Sequence, residues 1–298
     1  MTPVTLPRFR SPPEAYCTCP PKFNINPYLG RCGHGCLYCY SVKFPAFRGE
    51  VKPRFELLER LKHKRRLAAV KLPVMLSDCT DPYQPIERKT LLTRRILELL
   101  VDDGFPILIV SKSDLVVRDL DLLAKTSAVV TLTVTYLDEG FTSFMEPGAP
   151  PPSKRIEALR RLSKAVIPVG ARIDPIIPGL NDDPRGLKEL VETLASSGVR
   201  HVTVSTLKPV RGFFKTLKRL NLDLYYRLRN VYSKGRWIHG YKYLPEDYRR
   251  RIVETMRSLV LGYGMSFASC RENLACLNTD ICDGTGLIRK TLYSRALV

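Results

Sequence analysis

Three cysteines stand close together near the start of the chain, in the segment Cys32-Gly-His-Gly-Cys36-Leu-Tyr-Cys39. Thiolates at this spacing, in a glycine-rich loop, are typical ligands of an iron–sulfur cluster. A cubane has four irons, so three cysteines leave one iron open to a ligand that is not protein. Zinc would usually require a fourth protein ligand, which His34 or a cysteine upstream could supply. A structural zinc site is therefore the alternative for this cysteine triad (Cys32, Cys36 and Cys39).

A second group of cysteines lies near the other end of the chain, at Cys270, Cys276 and Cys282. This spacing predicts a second, auxiliary metal site, either an iron–sulfur cluster or zinc, and the alternative is three isolated buried thiols. Cys17 or Cys19 could complete either kind of site by folding the N-terminal arm across the body. Because the cysteines cluster, we interpret them as metal ligands or reactive groups in a reducing compartment rather than as disulfide partners.

The rest of the chain must supply the elements that position these groups, and it alternates β-branched runs with longer amphipathic runs. Strands are predicted at residues 23–28, 74–77, 107–111, 129–135, 166–173 and 199–205. Helices are predicted at residues 54–70, 86–101, 115–125, 155–165, 183–197 and 245–261. Repeated βα units with right-handed crossovers form a parallel sheet, so six of them predict an α/β fold, a partial (β/α)6 barrel.

Composition divides the chain into three parts. Residues 1–22 are rich in proline and predict an extended arm, residues 23–207 carry the βα alternation, and residues 208–298 form a basic C-terminal extension with the cysteine-containing tail. In a β/α barrel, the loops that follow the carboxyl ends of the strands meet on one side. The cysteine triad follows the first predicted strand, so we expect it on that side with polar residues that follow later strands.

The sequence of the triad and of several later segments also resembles that of a known protein family. The Cys-x3-Cys-x2-Cys spacing of the triad, with an aromatic residue before the third cysteine, resembles the signature of the radical S-adenosylmethionine (SAM) superfamily, and the six-strand pattern agrees with that superfamily's partial barrel. The run 26–40 and the segments 80–87, 111–113 and 176–182 are similar to the spore photoproduct lyase-like subgroup, whose members include DNA repair enzymes. The resemblance covers roughly residues 24–290.

The resemblance implies a cofactor set and a chemistry. Cys32, Cys36 and Cys39 would hold a [4Fe–4S] cluster whose open iron binds the amino and carboxylate groups of SAM. Reductive cleavage of SAM would give a 5′-deoxyadenosyl radical that takes a hydrogen atom from the substrate, so the cofactor carries the difficult step and the protein positions it. An electron donor such as a flavodoxin or a ferredoxin is an expected partner.

Polar and aromatic residues near the predicted strand ends are the expected contacts of SAM. They are Tyr38, Ser77, Asp78, Thr80, Ser111, Lys112, Arg172 and Asp174. By resemblance, the residues after the second strand contact the SAM amino group, Lys112 neutralises the carboxylate, the pair after the fifth strand reaches the carboxylate or the ribose, and Tyr38 lies by the adenine. For each of these residues the alternative is ordinary loop polarity or helix capping.

Cys79 stands apart from both cysteine groups, at the end of the second predicted strand. Spore photoproduct lyases have a similar Cys-Thr pair at this place, where the thiol returns a hydrogen atom to the product radical. The resemblance thus implies that Cys79 is a catalytic hydrogen donor. The alternative is a small buried apolar side chain at a strand end.

The chain is strongly basic, with 48 Lys and Arg against 29 Asp and Glu and a formal net charge of +19. Residues 201–298 contain 18 of the basic and 7 of the acidic residues. This balance favours a polyanionic partner such as nucleic acid. The alternative is a surface of ion pairs, for which the matching acids are missing.

Within residues 208–242, cations are interleaved with aromatic rings, as in grooves that bind nucleic acid. The cations are Lys208, Arg211, Lys215, Lys218, Arg219, Arg227, Arg229, Lys234, Arg236 and Lys242, and the rings are Phe213, Phe214, Tyr225, Tyr226, Tyr232, Trp237 and Tyr241. The alternative is that the rings belong to the core and the charges are only solvated. If the substrate is a duplex, the reactive nucleotide must leave the stack to reach a buried radical.

Residues 105–110 form the longest apolar run, far below the roughly 18 residues that span a bilayer, and the first ten residues lack the apolar stretch of a signal peptide. We therefore expect a soluble, cytoplasmic protein. The leading hypothesis is a radical SAM enzyme that acts on nucleic acid, in DNA lesion repair or RNA base modification. The alternatives are a radical SAM enzyme with a peptide or small-molecule substrate, and a non-catalytic zinc-containing nucleic-acid-binding protein.

Overall fold

The structure is a computed structural model that describes residues 6–9, 11, 16–63, 68 and 70–288. Its strands are β1 (Phe23–Ile25), β2 (Tyr28–Leu29), β3 (Lys52–Pro53), β4 (Val74–Leu76), β5 (Ile107–Ser111), β6 (Ala128–Thr133), β7 (Val169–Ile176), β8 (His201–Thr206), β9 (Arg236–Ile238), β10 (Tyr241–Tyr243) and β11 (Ser266–Ser269). Its α-helices are α1 (Phe55–Lys62), α2 (Glu87–Thr90), α3 (Leu92–Asp102), α4 (Leu120–Leu123), α5 (Glu139–Met145), α6 (Pro152–Lys164), α7 (Pro184–Ser196), α8 (Phe213–Leu220), α9 (Leu222–Tyr232) and α10 (Glu246–Gly262).

Seven strands form one sheet in the order β1-β4-β5-β6-β7-β8-β11, and every neighbouring pair in it is parallel. This confirms the predicted α/β fold with a parallel sheet. The sheet has one strand more than the six predicted, because β11 pairs with β8. Residues 266–269, which we placed in the C-terminal extension, therefore complete the sheet of the barrel.

Helices cover the outer face of the sheet through their apolar stripes. In α7, Leu187, Leu190, Val191 and Leu194 are buried at the helical spacing the sequence predicts. The Asp183 carboxylate accepts a hydrogen bond of 2.6 Å from the Gly186 amide, which caps the first turn. The predicted helix at residues 183–197 is thus confirmed together with its start signal.

The predicted helix at residues 86–101 is wrong in one respect, because the chain breaks it into α2 and α3. Leu91 adopts φ +50° between them, a conformation that ends a helix. The buried Glu87 carboxylate then accepts hydrogen bonds from the amides of Thr93 (2.9 Å) and Arg94 (3.3 Å), and so caps the start of α3.

Other predicted elements differ at their ends. The predicted strand at 23–28 is split into β1 and β2, and β2 pairs with β3 instead of joining the large sheet. The predicted helix at 54–70 ends at Lys62, and residues 64–67 and 69 of that range lie outside the described residues. The predicted helix at 115–125 begins as a 3-10 helix, Asp114–Asp119, before α4. The sequence did not predict α5, α8, α9 or the antiparallel β9–β10 hairpin.

The arm and the tail meet inside the barrel. Met75, Leu108 and Val129 lie on strands between residues that pack against the helices. Because successive side chains of a strand point to opposite faces, these three face the interior of the barrel. The tail residues Leu287 and Ile288 cover them. Beside this cluster, Nζ of Lys22 in the arm lies 2.6 Å from a carboxylate oxygen of Asp283 in the tail, and both side chains are buried.

Among the residues that the structure describes, no helix combines the length and the apolarity that crossing a bilayer requires.

Candidate active site

A cavity of about 730 Å³ opens where the sheet strands end at their carboxyl termini. The sequence-predicted site residues that line it are Cys32, Cys36, Tyr38, Cys39, Ser77, Asp78, Cys79, Thr80, Ser111, Lys112, Arg172, Asp174, Cys270 and Cys282. The structure therefore brings together residues that lie up to 250 positions apart in the chain. This is the face on which β/α barrels collect their ligands.

Cys276 is the predicted site residue that the cavity does not include. It lies on the 3-10 helix Ala275–Leu277, which packs beside α10 and β11, and its side chain is exposed. The structure therefore does not bring Cys276 to the cavity with Cys270 and Cys282, because an even spacing in sequence does not turn all three thiols toward one point. Cys19 of the arm instead contacts Cys282, with 3.8 Å between the sulfurs.

His34 fixes the loop of the cysteine triad at its centre. One ring nitrogen, Nδ1, lies 3.0 Å from the carbonyl oxygen of Gly148, and the other, Nε2, lies 3.1 Å from a carboxylate oxygen of Asp81. The preceding residue, Gly33, donates its amide to the Gln84 side chain at 2.7 Å. The loop is thus held against both the end of β4 and the segment between α5 and α6.

Asp81 joins several strand ends, although sequence analysis did not select it as a site residue. Its carboxylate accepts hydrogen bonds of 2.7 Å from the Ser111 hydroxyl, 2.7 Å from the Lys112 amide and 2.8 Å from the Tyr83 amide, besides the contact with His34. Burial opposes its charge, but His34 and these donors outweigh burial and lower the pKa of Asp81 to about 2. The only signal in the sequence was its place in the segment 80–87.

We expect Asp81→Asn to lower the free energy of unfolding by about 3 kcal/mol. The amide NH2 would replace an oxygen that accepts hydrogen bonds, so a buried donor would lose its acceptor and the contact with His34 would weaken. Urea denaturation at neutral pH measures the change. Asp223→Asn is the matched control, because its exposed ion pair with Arg227 should contribute less than about 1 kcal/mol. Equal stability of the two variants would contradict the role given to Asp81.

Two thiols of the triad, those of Cys32 and Cys36, lie where desolvation disfavours their charged form. Burial raises the pKa of Cys32 to about 12, and Asp81 and Cys39 add to this effect. Burial also raises the pKa of Cys36 to about 12, although Lys112 opposes the shift. Thiolates at these positions therefore need a strong positive charge beside them, which is what a metal centre provides.

Comparisons with known proteins show the family to which this chain belongs. The sequence model described as the Radical SAM superfamily matches residues 26–191, which is more than half of the chain. The chain belongs to the radical SAM superfamily. The alternative of a non-catalytic zinc-containing binding protein is therefore excluded, and the protein is a radical SAM enzyme.

Relatives and solved structures agree with this membership. An uncharacterized protein of Mycobacterium tuberculosis is 29% identical over 265 residues, which cover 83% of this chain and 76% of the relative. The radical SAM Nalpha-GlyT isomerase of Pseudomonas phage M6 is 23% identical over 257 residues, which cover 83% of this chain and 53% of the isomerase. Spore photoproduct lyase complexed with dinucleoside spore photoproduct has a similar fold, with a TM-score of 0.62, 18% identity, and coverage of 89% of this chain and 79% of the lyase.

The radical SAM family implies a [4Fe–4S] cluster and SAM, and the donor set of the cavity fits them. The triad offers three thiols from one loop, close enough to repel one another electrostatically, and leaves one iron of a cubane for SAM. Asp78 has a buried carboxylate oxygen, Oδ1, with no hydrogen-bond partner in the described part of the chain. Buried polar atoms are normally hydrogen-bonded, so this oxygen could accept a hydrogen bond from the SAM amino group.

The hydroxyls of Ser77, Thr80 and Ser111 form hydrogen bonds with other protein side chains. Ser77 donates to the Asn26 side chain, and its oxygen lies 3.1 Å from that of Thr80. Ser111 donates to Asp81. These residues shape the wall that would receive SAM, and any contact from Ser111 to the cofactor would compete with its bond to Asp81.

Tyr38 and Lys112 lie together beside a buried ion pair. The Tyr38 hydroxyl donates to Glu146, whose other oxygen lies 2.6 Å from Nη1 of the buried Arg155. Nζ of Lys112 lies 5.5 Å from the centre of the Tyr38 ring. Burial alone would lower the pKa of Lys112, but Cys36 and Glu146 outweigh it and raise this pKa. Lys112 therefore stays cationic, as neutralising a carboxylate requires.

Arg172 and Asp174 lie on β7 itself, which continues to Ile176, and not after the strand as the sequence suggested. Nη2 of Arg172 donates to the Asp174 carboxylate at 2.7 Å. Burial opposes the charge of Asp174, but Arg172 and Lys208 outweigh it, so the pKa of this carboxyl lies below its usual range. The pair faces the cavity as a preformed ion pair.

Cys79 lines the cavity as a thiol rather than a thiolate. Burial and the neighbouring Asp78 carboxylate hold its pKa well above the usual range, so the proton stays on sulfur at neutral pH. Tyr40 hydrogen-bonds the same segment, through the Asp78 carbonyl oxygen. The position suits transfer of hydrogen from sulfur better than nucleophilic attack by it.

Proposed function

We propose that this radical SAM enzyme acts on nucleic acid, either in repair of a DNA lesion or in modification of an RNA base. The main support for this proposal is the β9–β10 hairpin, because its turn lies at the cavity. His239 and Gly240 of the turn and Tyr241 of β10 line the cavity together with Lys43 and Arg271. These residues make this part of the cavity lining aromatic and cationic.

Two cations flank the ring of Tyr241 in this part of the lining. Nζ of Lys43 lies 4.2 Å from the ring centre, and the Arg271 guanidinium lies 4.5 Å from it. On the other strand of the hairpin, Arg236 and Trp237 are exposed, with 51% of Trp237 accessible to solvent. Cations for phosphates beside exposed rings for stacking are the features that sequence-tolerant nucleic-acid binding uses.

The basic and aromatic residues of 208–242 differ in burial, and Phe214, Tyr225 and Lys242 are half-buried. Phe213, Tyr232 and Tyr241 are buried. Lys208 is bound to the buried Glu272 carboxylate, so it is no candidate for a phosphate contact. The residues of this set that are exposed, and so remain candidates for nucleic-acid contacts, are Arg211, Lys215, Lys218, Arg219, Tyr226, Arg227, Arg229, Lys234, Arg236 and Trp237.

The cavity and the relatives support a base as the reacting group. When bound, the cluster and SAM supply a 5′-deoxyadenosyl radical for hydrogen abstraction. The cavity would exclude water from the reacting base, which must leave its stack to enter. The lyase of similar fold binds a dinucleoside photoproduct. We further propose that the enzyme works in the reducing cytoplasm and takes electrons from a flavodoxin or ferredoxin.

Anaerobic reconstitution with iron and sulfide, followed by dithionite and SAM, tests the proposal. The amount of 5′-deoxyadenosine is compared without substrate, with ultraviolet-damaged DNA, with tRNA and with an unstructured basic peptide. We expect a nucleic acid to stimulate deoxyadenosine formation and to bind with an affinity that falls steeply with salt. Stimulation by peptide alone would favour the peptide-modifying alternative and overturn the proposal.

Trp237→Ala is expected to weaken single-stranded nucleic-acid binding by about 1–3 kcal/mol, the range for one stacked ring. Fluorescence anisotropy with a labelled oligonucleotide at several salt concentrations measures the loss, and the salt slope should not change because no cation is removed. Tyr263→Ala is the matched control, since this exposed ring at the end of α10 lies neither on the hairpin nor within residues 208–242. A similar loss in both variants would argue against the hairpin as the binding surface.

A further inference from the structure

Four thiols from the two ends of the chain form a continuous row on the cavity wall. The Cys19 and Cys282 sulfurs lie 3.8 Å apart, the Cys17 side chain interacts with that of Cys19 and the Cys270 side chain with that of Cys282, and all four line the cavity. We refer to Cys17, Cys19, Cys282 and Cys270 as the thiol row. The row is separate from the cysteine triad, and the radical SAM chemistry does not use it.

The sulfur–sulfur distance between Cys19 and Cys282 matches two ligands of one metal ion rather than two ligands of a cluster. Two thiolates on a tetrahedral zinc ion, each about 2.3 Å from the metal, lie about 3.8 Å from each other. In a cubane each cysteine binds a different iron, so the sulfurs are held farther apart. The Cys19–Cys282 contact therefore has the length of one edge of a four-thiolate tetrahedron.

The surroundings of the row are those of a metal site. The Lys22 ammonium interacts with the Cys19 side chain, and the Arg172 guanidinium interacts with the Cys270 side chain. The carbonyl oxygen of Cys282 accepts hydrogen bonds from the Thr203 hydroxyl (2.7 Å) and from Arg172 (3.3 Å). Hydrogen bonds from outside the ligand shell orient metal ligands, and cations beside thiolates offset their negative charge.

We propose that Cys17, Cys19, Cys270 and Cys282 bind one zinc ion that fastens the N-terminal arm to the C-terminal tail at the edge of the active-site cavity. In the described part of the chain, no three His, Cys, Asp or Glu side chains yet surround one point, and this includes the triad that the family uses for its cluster. Zinc must therefore draw the row into a tetrahedron through rotation of the end thiols.

Metal analysis of the anaerobically reconstituted, full-length protein tests the site without an activity assay. We expect about one zinc and about four irons per chain. The double variant Cys19→Ser/Cys282→Ser should retain its iron and lose its zinc, to below about one tenth per chain. Cys276→Ser, which replaces the exposed tail cysteine, is the matched control and should keep both metals.

Cobalt provides a second measurement that does not depend on a variant folding. Replacing zinc by Co²⁺ in the wild-type protein should give the intense visible bands and thiolate charge transfer of tetrahedral cobalt with four sulfur ligands. Zinc below one tenth per chain in the wild type, zinc unchanged in the double variant, or octahedral cobalt would overturn the proposal. Eight irons that fall to four in the double variant would overturn it in favour of an auxiliary cluster.

Discussion

Cys39→Ala is expected to lower 5′-deoxyadenosine formation by more than about 100-fold, because residues outside the ligand shell of a metal already contribute about 10–100-fold. The triad would supply three ligands for a cluster that leaves one iron to SAM, so it would have no spare thiolate. The closest replacement is the Ser41 hydroxyl, 3.0 Å from the Cys39 sulfur. An alcohol oxygen is a poor ligand for iron in a cluster held by thiolates.

Chromatography of the products of anaerobic reactions with dithionite and SAM measures this loss. The triple variant Cys32→Ala/Cys36→Ala/Cys39→Ala sets the background, and Cys276→Ala serves as the matched control because its exposed thiol lies outside the cavity. Iron and sulfide analysis of each variant separates loss of the cluster from loss of turnover. Wild-type yields from Cys39→Ala would mean that this thiol is no ligand.

Elements whose signals are local were predicted from the sequence. Helix α7 is an example, since Asp183 caps it, Pro184 occupies its first turn and Gly198, at φ +84°, ends it. Strand β11 was missed because Ser-Phe-Ala-Ser is short and has no β-branched residue, and its pairing with β8 comes from the fold around it. The break at Leu91 was missed because the Glu87 carboxylate that caps α3 depends on tertiary contacts with Tyr28 and Arg118.

The candidate site likewise contains residues that the sequence predicts and residues whose role depends on tertiary contacts. A parallel sheet brings its strand ends together, so the sequence was enough to assign residues such as Asp78 and Lys112 to one cavity. Asp81 could not be recognised, because its role depends on His34, from the loop of the triad, and on Ser111, from the end of β5. The sequence could not show that Cys276 lies outside the cavity, because spacing alone does not say which side of an irregular loop a thiol faces.

Cys79→Ala is expected to separate radical formation from correct product formation. Deoxyadenosine should still form, because the triad and the SAM wall are unchanged. Product formation should fall by about tenfold or more, which corresponds to about 1.4 kcal/mol in activation free energy. Cys79 faces the cavity and keeps its hydrogen on sulfur, since burial and Asp78 raise its pKa. Without it, the product radical has no positioned S–H bond from which to take a hydrogen atom.

Deuterium labelling gives the prediction a readout that lost stability would not mimic. The hydrogen on a thiol exchanges with solvent, so turnover in heavy water should place deuterium at the repaired or modified carbon in the wild-type enzyme. The Cys79→Ala product should lack this label, and the product of Cys276→Ala should carry it. Equal labelling in all three would mean that the hydrogen atom comes from another donor, and unlabelled wild-type product would indicate that deoxyadenosine itself returns it. If the label is present in the wild-type product and absent only from the Cys79→Ala product, the Cys79 thiol is the group that returns the hydrogen atom to the substrate radical.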